Sequence, residues 1–244
     1  MLIKNLIKSI KNPTRAWRFF TFMLKFTLRK KRGILFIIGM DSNGIFDLMY
    51  RGYEKCYGFE ANPERFEKLV KKYGKQPNIY IHNVAVAQYD GEVVLNISSN
   101  NNGASSSLGN FNKTWQEQYK AEKIEIVKSI KVPCINLHNF CIKNNISYID
   151  DYLSDIQGMD LEVLKTMNPM IEQKRIGTIT CEVTKNEKRN VYSDLPDNSE
   201  NGFAELVNTN YELIAKGHGA LKDNKFDKIS KDEWEMDCKW KIKE

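Results

Sequence analysis

From residue 33 onward, short apolar runs alternate with amphipathic stretches, and this spacing predicts alternating strands and helices. Residues 34–38 form an unbroken apolar run, the pattern of a strand buried on both faces. A short helix begins at 45–49, and 55–59 is a second strand. Asn62 stands where a helix cap belongs, with Pro63 at the first helical position. Further strands are predicted over 78–84, 92–97, 127–135, 148–153, 177–183, 211–216 and 234–242. Further helices are predicted over 137–143, 158–167 and 203–207, the second of them stopping at Asn168-Pro169. Such alternation indicates a mainly parallel sheet covered on both faces, a doubly wound α/β domain. Residues 98–112 break the pattern. Rich in Ser, Asn and Gly, with few apolar anchors, they are expected to form a mobile loop that closes over a ligand.

The first 32 residues are patterned differently. Leu2, Ile3, Leu6, Ile7 and Ile10 recur at helical spacing, with Lys4, Lys8 and Lys11 between them. Asn12-Pro13 interrupts the run. A second helix, aromatic and basic, then carries Trp17, Phe19, Phe20, Phe22 and Phe26. This segment holds ten Lys/Arg and no Asp or Glu, so the remainder has 27 basic against 31 acidic residues. The net charge of +6 therefore belongs to the segment alone. The remainder lacks the basic face that nucleic acid demands, and no nucleic-acid partner is expected. The uncharged stretch 19–24 is far short of the ~20 residues needed to span a bilayer, and no cleavage pattern follows it. Neither a transmembrane helix nor a signal peptide is predicted. The expected organisation is a basic amphipathic helical extension over 1–32, suited to contact with an anionic membrane surface, and a globular domain over 33–244. Five Cys without a Cys-x-x-Cys pair point to reduced thiols and a cytoplasmic setting. The three His have no metal-ligand spacing.

Candidate chemistry gathers at the strand ends. Gly39 and Gly44 follow the first strand, where glycine lets a backbone approach a cofactor closely. Their spacing is not Gly-x-Gly-x-x-Gly, which disfavours a nicotinamide oxidoreductase. It equals that of a P-loop, but Ile45-Phe46 replaces the Lys-Ser/Thr pair, which disfavours a nucleoside triphosphatase. Glu60 ends the second strand about 20 residues after Gly39, where an acid can accept ribose hydroxyls. Asp155 and Glu182 end the strands over 148–153 and 177–183. If these strands are neighbours, the two carboxylates share one crevice and suit a hard cation such as Mg²⁺ or a general base. The bland readings are a helix cap for Asp155 and a salt bridge to Lys185 for Glu182.

Residues 154–165, Ser-Asp-Ile-Gln-Gly-Met-Asp-Leu-Glu-Val-Leu-Lys, resemble the signature of the FkbM family of S-adenosylmethionine-dependent methyltransferases. Tyr57-Gly58-Phe59-Glu60-Ala61-Asn62-Pro63 is similar to that family's acidic second-strand tip. Asn83-Val84-Ala85-Val86, with Asp90-Gly91-Glu92 after it, is similar to its third-strand region. Ser105-Ser106-Ser107-Leu108 resembles its Ser-Ser-Leu loop, Val132-Pro133-Cys134-Ile135-Asn136-Leu137 the strand before the Asp motif, and Thr180-Cys181-Glu182-Val183 its fifth strand. One motif departs. The family's Asp-Val-Gly-Ala-Asn-x-Gly is here Ile37-Ile38-Gly39-Met40-Asp41-Ser42-Asn43-Gly44, with Ile37 for the leading acid and one extra residue between the glycines.

The resemblance implies a class I methyltransferase, Rossmann-like, with a seven-stranded sheet ordered 3-2-1-4-5-7-6. It implies S-adenosylmethionine held by Gly39, Asp41, Gly44, Glu60 and Asn83, the last near adenine unless it is a plain turn residue. It further implies methyl transfer to a hydroxyl of a sugar in a glycan or glycolipid. Ser105, Ser106 and Ser107 would face that acceptor, and Asp155 and Glu182 would act as catalytic or cation-holding acids. Asp160 stands where the family has Glu. The altered glycine motif motivates a second expectation, a catalytically inactive Rossmann-like module that binds a glycan or a partner protein. An oligomer is compatible with both.

Overall fold

The computed structural model describes residues 31–40, 49–120, 123–185, 190–218, 224 and 226–244. The chain divides into the units Met1–Arg32 and Gly33–Glu244. The helical extension expected over 1–32, apart from Lys31 and Arg32, and all but the last residue of the helix expected over 45–49, lie outside the described residues.

The elements run β1 (Arg32–Ile38), β2 (Tyr53–Phe59), α1 (Pro63–Tyr73), β3 (Ile79–His82), β4 (Ala85–Ala87), β5 (Gly91–Ser98), α2 (Lys113–Gln118) and β6 (Ile126–Asn136). They continue with α3 (Leu137–Lys143), β7 (Ile149–Ser154), α4 (Asp160–Thr166), α5 (Asn168–Glu172), β8 (Ile176–Thr184), α6 (Glu200–Val207), β9 (Tyr211–Lys216) and β10 (Glu235–Ile242). Seven strands form one sheet in the order β3-β2-β1-β7-β8-β10-β9, the expected arrangement. β2–β3, β1–β7 and β7–β8 are parallel pairs, while β10 runs antiparallel to β8 and β9. The strand order reverses at β1, so a crevice opens beyond the tips of β1 and β7.

Periodicity explains the layers. On β1, Leu35 and Ile37 face one core with Leu69 and Tyr73 of α1, while Phe36 and Ile38 face the other with Leu161 and Leu164 of α4. Each fully buried side chain of this kind contributes about 1.5–3 kcal/mol. The acidic pair inside β7 is satisfied rather than exposed. Asp150 Oδ2 accepts the Ile34 N–H at 2.8 Å, and buried Asp151 accepts the hydroxyls of Tyr53 and Thr178. At the start of α1, Asn62 Oδ1 accepts the Glu64 N–H at 3.0 Å, and Pro63 needs no partner there.

Two departures have physical causes. The strand expected over 78–84 ends at His82, because Asn83 and Val84 turn a corner and Ala85–Ala87 leaves the main sheet. It pairs instead with β6 in a three-stranded sheet ordered β4-β6-β5. The helix expected to stop at Asn168-Pro169 ends at Thr166, but Pro169 then occupies the first turn of α5, where its missing N–H costs nothing. The loop over 98–112 is a hydrogen-bonded structure, with turns over 101–105 and a bridge between Asn96 and Ser107. All five Cys are buried free thiols. Among the described residues no helix is long and apolar enough to cross a membrane.

Candidate active site

The tips of β1, β2 and β7 meet beneath residues 103–108, and the cleft between them measures about 720 Å³ including its open mouth. Gly39 lies at its base with φ +76°. A Cβ there would fall 1.9 Å from the Asp155 carbonyl oxygen, so only glycine lets the two turns come this close. Backbone bonds fix the approach. Gly39 and Met40 both donate to the Phe59 carbonyl at 3.0 Å, and Asp155 donates to the Ile38 carbonyl at 3.0 Å.

Glu60 follows at the tip of β2, 7% exposed. Its Oε1 accepts the Asn62 N–H at 2.8 Å, and Arg65 Nε lies 3.8 Å from Oε2. The carboxylate is thus held in one orientation at the edge of the cleft. Val84, Ala85, Val86 and Leu95 make an apolar wall beside it. A fixed acid, an apolar wall and a close backbone together fit an adenosyl group, with the acid on the ribose hydroxyls and the wall against the purine. Asp41 and Gly44 lie outside the described residues.

Asn83 does not line this cleft. Its Nδ2 donates to the carbonyls of Glu60 at 2.9 Å and Ala61 at 3.3 Å, which secures the turn between β2 and α1. The three serines are also committed locally. Ser105 Oγ accepts from Asn100 Nδ2, Ser106 Oγ donates to the Gly103 carbonyl, and Ser107 Oγ donates to the Gln157 carbonyl at 2.7 Å. Ser106 and Ser107 line the cleft; Ser105 does not.

The model of the family described as "Methyltransferase FkbM domain" matches residues 40–211. This chain belongs to the FkbM family of S-adenosylmethionine-dependent methyltransferases. Among curated proteins no match is found. Similar solved structures include methyltransferase FkbM from Methylobacillus flagellatus KT, 10% identical, with a TM-score of 0.45 over 88% of this chain and 44% of that one. This chain thus spans under half the length of that protein. N-methyltransferase NodS from Bradyrhizobium japonicum WM9 is 9% identical, with a TM-score of 0.42 over 96% of this chain and 98% of that one. Aeropyrum pernix fibrillarin with natively bound S-adenosyl-L-methionine is 11% identical, with a TM-score of 0.41 over 87% and 68%.

In this FkbM chain the strand register sets the acids in a row. Ser154 pairs with Cys181, which brings the next residues, Asp155 and Glu182, side by side, and Glu182 pairs with Asp237 on β10. Asp155 and Glu182 therefore share one crevice, yet a bridging cation does not fit between them. Gln157 Nε2 stands there, donating to Asp155 Oδ1 at 2.7 Å and Glu182 Oε2 at 3.0 Å. Among the described residues no group of three or more His, Cys, Asp or Glu could hold a metal ion. Gln157 takes this position through a left-handed backbone, φ +58°, followed by Gly158 at +98°. Its Oε1 accepts the Tyr192 hydroxyl at 2.8 Å.

Burial is the first cause of the shifts in this row, and the Asp155 charge the second. Together they lift Glu182 well above the carboxylate range, Asp237 to about 7 and Asp160 to about 7. Glu235 rises to about 8 from burial, then Asp155, then Asp160. Asp160 is a first-turn acid of α4, as its position suggests, but it is wholly buried. Its Oδ1 accepts the Ser154 hydroxyl at 2.5 Å and the Ile156 N–H at 3.2 Å.

Gln157, Tyr192, Glu235 and Asp237 escape sequence reasoning. Only the last two leave a signal: Glu235 and Asp237 alternate with buried Trp234, Met236 and Cys238, so both acids face one side of β10.

Proposed function

We propose that this chain transfers a methyl group from S-adenosylmethionine to a hydroxyl, and that the hydroxyl belongs to a sugar of a glycan or glycolipid. The observation that carries this reading is the position of Asp155, an exposed acid that lines the same cleft as Glu60 and Gly39. When bound, S-adenosylmethionine supplies an electrophilic methyl group on a sulfonium. Glu60 would hold its ribose, and the Val84–Leu95 wall its purine. The remaining task is to present an alcohol and take its proton, because an alcohol is a weak nucleophile until deprotonated. Asp155, oriented through Gln157, would take that proton. Glu182, whose ionisation burial disfavours, adds no competing base. Alignment of the two reactants can supply about 7–11 kcal/mol of the barrier reduction.

The test is incubation with methyl-labelled S-adenosylmethionine and a panel of glycans and glycolipids. Label on a sugar oxygen is expected, and Asp155→Asn should slow its appearance by about 10²-fold or more. Tight binding of S-adenosylhomocysteine with label on no sugar hydroxyl would refute the acceptor class.

A further inference from the structure

The hydrogen bonds at Gln157 do not end at the two carboxylates. The Tyr192 hydroxyl donates to Gln157 Oε1 at 2.8 Å, and the Ser105 carbonyl is a weaker acceptor for the same proton at 3.4 Å. The ring that carries this hydroxyl is buried and fixed. It stacks on Phe111 with 5.5 Å between centroids and 29° between planes, and the Tyr192 N–H donates to Asn190 Oδ1 at 3.1 Å. A Cβ on Gly158 would fall 2.8 Å from Tyr192 Cδ2, so glycine at that position is what admits the ring beside the turn. The turn is pinned as well, by the Ser107 hydroxyl on the Gln157 carbonyl. A rigid donor therefore meets a side chain on a fixed backbone.

The direction of the amide decides what Asp155 receives. As it stands, Nε2 serves Asp155 Oδ1 and Glu182 Oε2 together. Reversed, Oε1 would stand between them. Burial disfavours ionised Glu182, so its carboxyl can carry a proton and could donate to a reversed amide. Asp155 would then face an oxygen and lose this donor. The Tyr192 proton opposes that exchange, because a reversed amide would offer it an NH₂ group instead of an acceptor. Tyr192 keeps its proton: burial first, then the charges of Glu235, Glu182 and Asp155, push its ionisation well above the ordinary range. Asp155 also interacts with Glu182 of β8, Glu235 and Asp237 of β10 and Asp160 of α4, all acids. Such neighbours disfavour its charge, and a donated N–H offsets part of that effect.

We propose that Tyr192 is a positioning residue of the methyl-transfer site: its hydroxyl sets the direction of the Gln157 amide, and the amide holds the Asp155 carboxylate ready for the proton of the acceptor hydroxyl. Tyr192 does not line the cleft and acts only through Gln157. The role rests on the methyltransferase reading above, in which Asp155 is the base.

The experiment follows the Asp155 carboxyl carbon by nuclear magnetic resonance against pH, in the full chain saturated with S-adenosylhomocysteine; Asp155→Asn identifies the signal. Tyr192→Phe deletes one hydroxyl and keeps the ring on Phe111. The Asp155 midpoint should move to higher pH by about one unit, the sign expected when a carboxylate loses a donor. Gln157→Asn tolerates the left-handed backbone but is one methylene short, and should move the midpoint the same way. The double variant should move it no further than Gln157→Asn alone, because Tyr192 acts through Gln157. With the acceptor found by the labelling panel, Tyr192→Phe should lower kcat about tenfold and leave KM for S-adenosylmethionine within about twofold. An unmoved midpoint in Tyr192→Phe, or in Gln157→Asn if the first does not fold, would overturn the proposal. Additive shifts in the double variant, full kcat, or a loss of cofactor affinity as large as the loss of kcat would do the same. Failure to bind S-adenosylhomocysteine would instead overturn the methyltransferase reading, and the midpoints are then read in the ligand-free chain.

Discussion

Glu60 and Asp155 line one cleft with different roles, so substitutions at each should separate binding from turnover. Glu60→Ala removes the acceptor for the ribose hydroxyls and should weaken S-adenosylmethionine at least about tenfold, or 1.4 kcal/mol. It also deletes the bond to the Asn62 N–H, so stability should drop by about 1 kcal/mol. Calorimetry reads the first effect and a melting curve the second; unchanged affinity removes Glu60 from the cofactor site. Asp155→Asn keeps the shape and the contact with Gln157 but not the base. Turnover should fall by about 10²-fold or more while cofactor affinity holds. Full turnover would show that another group takes the proton. Asp160 yields a prediction in pH. Its folded pKa of about 7 lies above the ordinary 3.8, so the folded chain holds a proton that the unfolded chain has released. Its contribution to stability therefore falls as pH rises from about 4 to about 7, and levels off above that. Asp160→Asn keeps Oδ1 as the acceptor for Ser154 and Ile156 but cannot ionise. It should melt like the parent near pH 4 and higher at pH 8, each kcal/mol recovered showing as about 2–4 °C. An unchanged melting difference between these pH values would count against a buried, proton-bearing Asp160.

At the scale of elements, the loop before α2 now has a defined role as a strap across the cleft. Ser107 joins it twice, through the backbone bridge to Asn96 and through its hydroxyl to the Gln157 carbonyl. Ser107→Ala should release the strap from the Asp155–Gly158 turn at a cost of about 1 kcal/mol, so amide exchange over 103–107 should speed up roughly fivefold. Exchange at the parental rate would place the strap's stability elsewhere. This loop also shows what could be read in advance. Its Ser, Asn and Gly content marks a loop, but composition carries no information on which hydroxyl meets which carbonyl. Asn62-Pro63 was legible because capping is local, and β1 because a run of five apolar residues has one use in such a fold. The strand order came from the likeness of whole motifs, since periodicity does not reveal neighbours. Ala85–Ala87 was not read as a strand of its own because its partner, β6, is about 50 residues away in sequence and the pairing is tertiary. Gln157 was invisible for a related reason. Its role depends on a left-handed turn and on β8 lying beside β7, and neither is written in its immediate neighbours.

For the whole molecule, the uneven charge is the feature that reaches furthest. Ten basic residues precede Gly33 without one acid, and the rest of the chain is net acidic. Leu2, Ile3, Leu6, Ile7 and Ile10, then Trp17, Phe19, Phe20, Phe22 and Phe26, supply apolar side chains among those charges. Basic and apolar groups interleaved at helical spacing suit the surface of an anionic bilayer, where each Lys or Arg near the headgroups is worth about 1 kcal/mol. An acceptor that is a glycolipid would make this placement useful, because the surface would concentrate enzyme and acceptor together. We expect the full chain to float with phosphatidylserine-containing vesicles at low salt, and to be released as salt shortens the screening length to about 3 Å at 1 M. Removing residues 1–32 should abolish flotation and leave S-adenosylhomocysteine affinity intact, since no contact proposed for the cofactor comes from that segment. Flotation on neutral vesicles to the same extent would argue for apolar insertion without electrostatic attraction. No flotation at low salt would assign the basic segment to an acidic protein face instead, and the acceptor would then have to reach the enzyme in solution.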